Sequence, residues 1–294
     1  MKINRAYILD IIASKFFLVI GLTSIIILFL IIIFLFKEGL PLFNFTGAGD
    51  FLSGNEWYPT SDNARFGIFS LIYASVSVTL LASLLSIPFS LALAIYLSEI
   101  ASSSAREIIK PVIEIIASIP SVIIGFFGMV VIAPILQEKF NLDTGMNLFN
   151  ASLMLAFMAI PTIASISEDA LSSVPMSLKE ASYALGANKW QTIFHITIPA
   201  ALSGIWTAVI LGISRVIGET MVVLMVAGGS AGNPGSIFDS VRPLTSTIAA
   251  EMAETPHASN HYHALFAIGL VLFIITFVFN MLADYLSNRY KFKG

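Results

Sequence analysis

The sequence predicts an all-α fold, a polytopic membrane protein with six transmembrane helices, and three observations carry that prediction. Of its 294 residues 57% are hydrophobic and 11% charged, where a soluble domain carries about 25% charged residues, and mean hydropathy is +0.89. Six apolar runs approach or exceed the length needed to cross a hydrocarbon core of roughly 30 Å. The cations are distributed unevenly between the segments that separate those runs. Ten of the 15 lie on one side (Lys2, Arg5, Lys15, Arg106, Lys110, Lys179, Lys189, Arg289, Lys291 and Lys293), whereas Lys37, Arg65, Lys139 and Arg242 lie on the other. By the positive-inside rule this places both termini in the cytoplasm, which requires an even number of spans. The sequence has no cysteine, which excludes disulfides, thiolate metal sites and thiol nucleophiles, and its net charge of -3 offers nothing to nucleic acid.

The first span runs from Phe16 to Phe36 and ends in KEGLP without a small-residue cleavage signal, so it reads as an uncleaved anchor. Residues 37–69 form an outer polar segment with Trp57, Tyr58 and Pro59. The second span, 70–97, contains Pro88, which frees a carbonyl inside a membrane helix. Pro111 begins or bends the third span, which runs to Leu136 and is broken at Pro120 and Ser121. The fourth covers 151–166, the fifth 201–226 and the sixth 264–286. Between the last two lies an outer segment of irregular backbone that opens GGSAGNPGS. By organisation, 1–69 is an amino-terminal anchor with its outer segment, and 70–294 is a five-helix core.

The longest amphipathic insert is 167–199, SEDALSSVPMSLKEASYALGANKWQTIFHITIP. Ser177 with Glu180, and Asn188 with Gln191, have capping-box spacing. Gly186 between them can take a backbone closed to other residues, and Pro199 stops a helix. The segment therefore reads as helix, tight turn, helix, presented to water on the cytoplasmic side as a docking hairpin.

Inside the fifth span, GISRVIGETMVV places Arg215 and Glu219 four apart, on one helical face where they can pair. An isolated arginine at the membrane centre costs about 2.5–3.5 kcal/mol on insertion scales, so neither residue faces lipid. A structural ion pair would satisfy them, but so would one wall of a solute path. The five donors of a guanidinium suit an oxyanion such as phosphate. Thr220 could add a hydroxyl, although it points about 100° from Glu219 on a helix. Ser121 follows a break whose free amides could meet an anion. His257, His261 and His263 lie in an outer loop with nothing to fix them as metal ligands, so they read as solvated or interfacial. No Walker A lysine motif, HExxH or Ser–His pairing is present, so no ATPase or hydrolytic chemistry is visible in this sequence.

Glu180, Ala181, Ser182, Gly186, Ile196 and Pro199 carry the spacing of the EAA loop, and the hairpin resembles that loop in membrane subunits of ATP-binding-cassette importers. Ser182 stands where a second alanine is common, and Ile198 where leucine is. ISRVIGETMVV, IPSVIIGFFG and HYHALFAIGLVLFIITFVFN extend the resemblance to the PstC-type permeases of phosphate importers over nearly the whole sequence. It implies a type I importer permease (MetI-like) fold in a bacterial inner membrane. The same resemblance implies that Glu180, Ala181, Ser182, Gly186 and Pro199 couple to an ATPase, and that Arg215 and Glu219 line the solute path. The implied partners are a PstA-like second permease subunit, two PstB-like ATPase subunits that use ATP and Mg2+, and a periplasmic or lipid-anchored PstS-like phosphate-binding protein. No cofactor is expected on this chain itself. The residues leave open a permease for sulfate, molybdate or an amino acid, and a membrane scaffold that signals phosphate status. A membrane enzyme is disfavoured by the scarcity of polar residues inside the spans.

Overall fold

The structure, a computed structural model, describes residues 5–289, with side chains from Ala13 to Tyr285. Lys2, Lys291 and Lys293 of the charge count lie outside the described residues. Six helical stretches are long and apolar enough to cross a membrane: Ala13–Asn44, Phe69–Ile100, Ser121–Phe140, Leu148–Ser172, Lys189–Ile217 and Asn260–Tyr285.

The first helix, α1 (Arg5–Gly39), exposes the whole of its most apolar window and packs against the last helix toward its end, where Phe34 meets Phe266 edge to face. A 3₁₀ turn at Leu40–Asn44, α2 (Ala48–Ser53) and a two-residue hairpin, β1 (Trp57–Tyr58) with β2 (Arg65–Phe66), fold back over the helix ends. Leu42, Phe51, Trp57, Phe66 and Ile68 form one buried cluster with Leu71, Leu244, Leu265 and Ile268. Residues 37–69 therefore share their core with the later helices.

The second span, α3 (Phe69–Ile95), passes through Pro88 unbroken and ends in a π-helical turn, Tyr96–Ile100. The third span differs from expectation. Residues 103–117 form a separate amphipathic helix, α4 (Ser103–Ala117), with Pro111 inside it. The membrane-length run begins only at Ser121, as α5 (Ser121–Phe127), a π-turn at Gly128–Ile132 and α6 (Ala133–Phe140). The charges at Arg106, Glu107, Lys110 and Glu114 explain the separation, because a helix carrying them is more stable at the interface than across lipid.

The central helix is α7 (Leu148–Ser172), 61% of whose apolar window is buried, against 33% or less for the other five spans. It packs along α3 and along α10 (Ile198–Ile217). Small residues allow this approach: Ala74, Ala82, Ala159 and Ala208 are in the cluster, and a Cβ on Gly212 would collide with Ile163. Since lipid is as apolar as leucine, close van der Waals packing supplies the attraction here. Asn147 caps α7 by accepting from the Asn150 amide, and the Asn150 side chain donates 3.0 Å to the Gly128 carbonyl at the start of the second π-turn. The α7 helix also runs six residues beyond the expected end of the fourth span, so Ser167–Ser172 belong to it and not to the hairpin.

The hairpin consists of α8 (Met176–Ala184) and α9 (Lys189–Thr192). From α9 the chain continues through a third π-turn, Ile193–Thr197, directly into α10. Pro199 does not stop the helix. It occupies one of the first two positions of α10, and the wide turn before it relieves the clash its ring would make with a regular preceding turn. The fifth span then ends at Ile217, and α11 (Met221–Val226), α12 (Leu244–Glu251) and α13 (Asn260–Arg289) complete the chain. The segment between α11 and α12 is irregular, with positive φ at Gly228 and Gly229.

Candidate functional site

The break at Gly218–Thr220 changes the relation of the two charged residues in the fifth span. Arg215 lies in the last turn of α10, whereas Glu219 lies beyond its end, so they do not share a helical face. Their expected pairing is absent: Glu219 Oε1 instead accepts from the amides of Met221 at 3.1 Å and Val222 at 3.4 Å. A broken helix leaves its first amides without partners, and the nearest carboxylate satisfies them. Thr245 Oγ1 donates 2.9 Å to the Glu219 carbonyl, which anchors the break to α12, and Thr220 Oγ1 donates to Gly218 O at 3.4 Å. The exposed Arg215 side chain has no ion-pair partner among the described residues. One residue before it, Ser214 Oγ donates 2.8 Å to Asn280 Oδ1 on α13, a polar contact between two spans.

Ser121 opens α5, with Pro120 as its cap, and is half-buried. Two glycines bring α5 against α11: a Cβ on Gly125 would meet Val222, and one on Gly128 would meet Val226. The two short helices thus run parallel, which by register sets Ser121 level with the 218–220 break.

The hairpin is built as the glycine and the second capping box require. Gly186 has φ +83, the Gly186 amide donates to Tyr183 O at 2.9 Å and the Ala187 amide to Ser182 O at 3.2 Å, the pair of bonds of a Schellman turn. Asn188 and Gln191 form a reciprocal capping box. The first box does not form, because the helix starts two residues earlier: Pro175 takes the cap position and Ser177 is already inside α8. The Ser182 and Thr192 hydroxyls lie 2.9 Å apart and buried, so the serine that departs from the common pattern cross-links the hairpin. Glu180, Ala181 and Pro199 are exposed, and Leu185 (90% exposed), Trp190, Phe194 and Met176 offer an apolar surface beside them.

The family described as binding-protein-dependent transport system inner membrane component matches residues 86–292, most of the chain and all of the hairpin. The chain belongs to this family. A relative from Bacillus subtilis, the probable ABC transporter permease protein YqgH, is 40% identical over 89% of this chain and 85% of its own length. The phosphate transport system permease protein PstC of Mesorhizobium japonicum is 32% identical over 86% of this chain and 81% of its own, and the PstC of Haemophilus influenzae 34% identical over 78% and 77%. Among solved structures, a subunit of a bacterial alginate ABC transporter superposes with a TM-score of 0.64 at 18% identity over 97% of this chain and 98% of its own. One of the inward-facing MetNI methionine transporter superposes with 0.60 at 19% over 76% and 97%. The fold is that of a type I importer permease, and this family member is a transport subunit rather than an enzyme.

Sequence reasoning missed three clusters in this permease. Glu168 on α7, 4% exposed, takes Arg106 at 2.8 Å and Lys110 at 2.7 Å from α4, and Asp169 takes Lys110 at 2.9 Å. These contacts hold the Lys110 ammonium above its ordinary pKa, chiefly through the hydrogen bond to Glu168 and then that to Asp169. Lys179 on α8 reaches Glu99 at 2.6 Å. At the far end of the bundle, Glu251 accepts from Trp57 Nε1 at 3.0 Å and Arg242 Nη1 at 2.7 Å, with His261 Nε2 at 2.8 Å. Two of the histidines are thus fixed on α13 and not merely solvated: His261 beside Glu251, and His263 2.7 Å from the Glu38 carbonyl. The His257 ring lies on Tyr262. No group of three metal-ligating side chains occurs among the described residues.

Proposed function

We propose that this chain is the membrane-spanning permease subunit of an ATP-driven phosphate importer. The observation that carries the reading is the Arg215 guanidinium, exposed and without a carboxylate partner among the described residues, near the end of a membrane-length helix and beside two broken helices. A cation is tolerated at such depth where it faces a path or a cavity, and its planar donors match a tetrahedral oxyanion. Relatives that carry the phosphate transport name over most of this chain support the choice of anion. Glu219 shapes the path by holding the break that ends α10, Thr220 lies in that break, and Ser121 stands at the same level on α5.

The α8–α9 hairpin faces the cytoplasm, with both termini, and docks in an ATPase subunit that binds ATP and Mg2+. A second, similar permease subunit supplies the other half of the path and a second hairpin for a second ATPase, and a soluble or lipid-anchored phosphate-binding protein delivers the anion outside. Nucleotide state then biases the membrane domain between inward and outward openings through differential contacts at the hairpins.

Phosphate uptake by vesicles holding the assembled complex tests this reading. Arg215→Gln removes the charge and is expected to abolish uptake while all subunits still copurify. Uptake surviving in assembled complex would remove Arg215 from the path. Parallel assays with sulfate and molybdate decide the anion, and competition by either at concentrations equal to phosphate would replace phosphate as the substrate.

A further inference from the structure

The hairpin is joined to the membrane domain three times. Two joints are covalent, from α7 through residues 173–175 into α8 and from α9 through the Ile193–Thr197 turn into α10. The third is an ion pair between elements 80 residues apart: Lys179 Nζ lies 2.6 Å from Glu99 Oε1, with side-chain exposures of 12% and 7%. Glu99 sits in the π-turn that ends α3, and Ser98 Oγ adds a bond of 3.4 Å to the same carboxylate oxygen. Ala94 on α3, Leu171 and Val174 at the end of α7, and Ala201 and Ile205 on α10 make one buried cluster at this end of the bundle.

Holding the hairpin in shape does not require this pair. The Schellman turn, the Asn188–Gln191 box and the Ser182–Thr192 bond already close it upon itself. The pair instead ties α8 to the end of α3, a helix that the chain does not join directly to the hairpin, as it does α7 and α10. A charge pair so far out of water persists only with both members in place, since losing one strands the other without solvent. It is therefore a stiff joint, and it lies on the opposite arm of the hairpin from α10.

We propose that Lys179 and Glu99 are positioning residues for energy coupling, through which displacement of the docked hairpin moves α3 together with α10. The proposal rests on the reading of the hairpin as the ATPase dock. With the ion pair intact, α3, α7 and α10 move with the hairpin as one body. With the ion pair cut, the hairpin pulls directly on α7 and α10 but reaches α3 only through its packing on α7, and nucleotide turns over with less movement of the wall that α3 forms.

Because the chain has no cysteine, the pair Glu99→Cys with Lys179→Cys can be joined by a short bifunctional thiol reagent in complex whose other subunits are cysteine-free. Phosphate taken up per ATP hydrolysed is measured in vesicles, with ATPase copurification measured alongside. Before linking, the ratio is expected to fall about tenfold, within the usual range of a coupling free energy, while the ATPase still copurifies. Linking restores it, as does the charge-reversed pair Glu99→Lys with Lys179→Glu. A purely structural role would reduce the amount of complex and leave the ratio in surviving complex unchanged. Either an unchanged ratio, a linker that fails to restore or abolishes uptake, or loss of the ATPase from the unlinked variant overturns the proposal. Failure of the docking reading would show elsewhere, as normal ATPase association and uptake in a variant whose hairpin turn is broken at Gly186.

Discussion

Gly186 shows how much a single backbone angle can decide. Its φ is +83, and no atom lies within 4 Å of the point where a Cβ would stand, so the site has ample room and only the backbone geometry selects glycine. An L-residue is disfavoured there by about 1–2 kcal/mol, and asparagine by less than others. Gly186→Val is therefore expected to open the turn and lose ATPase association, and Gly186→Asn to keep most of it, as read by copurification from membranes. Gly186 was legible in the sequence, as were Asn188 and Gln191, because their interactions are confined to a few neighbouring residues. The Ser177 box was not, because Pro175 fixes its own φ two residues earlier and starts the helix first. Glu219 was misplaced for a similar reason: periodicity reports spacing, and a helix that ends at Ile217 keeps the spacing while losing the shared face.

At the scale of elements, α4 depends on a clasp rather than on insertion. Arg106 and Lys110 project from its buried side onto Glu168 and Asp169 near the end of α7, while Ile108, Val112 and Ile115 remain exposed. The Lys110 pKa is raised above its usual 10.5. A raised folded value means the stabilisation is complete below the unfolded value and is lost as pH climbs through the folded one. The clasp is thus expected to stay closed at neutral and mildly alkaline pH and to open only in stronger alkali, which a fluorophore on a cysteine introduced at Ser104 would follow. Opening near neutral pH would contradict the assignment. The sequence showed the charges of α4 but not their partners, which lie 58 to 62 residues away. It also assigned the second half of α4, from Pro111 on, to a span, because Pro111 and the apolar residues that follow it resemble a bent membrane helix when counted without their contacts.

For the molecule as a whole, six spans and their order were legible because hydropathy is summed over long windows and tolerates local error. The far-side layer was not, since its organising residue, Glu251, gathers partners from 194 residues before it and 10 after it. Glu251→Leu takes the shared carboxylate from Arg242, Trp57 and His261, and is expected to destabilise the protein by about 3 kcal/mol, the lower end for a broken and largely buried pair. Glu254→Ala on the exposed surface nearby should stay within about 0.5 kcal/mol. Thermal unfolding in detergent compares the two, and equal midpoints would show that the cluster carries no stability. The third π-turn has a further consequence at this scale. It holds one residue more than a regular turn, so every side chain after it is rotated by about 100° from where an unbroken α-helix would carry it. The compass bearing of Arg215 is therefore set at the foot of its helix, about 27 Å away by the rise per residue. Removing a single residue from Ile193–Thr197 would swing the guanidinium a quarter of a circle while leaving every residue around the proposed path unchanged.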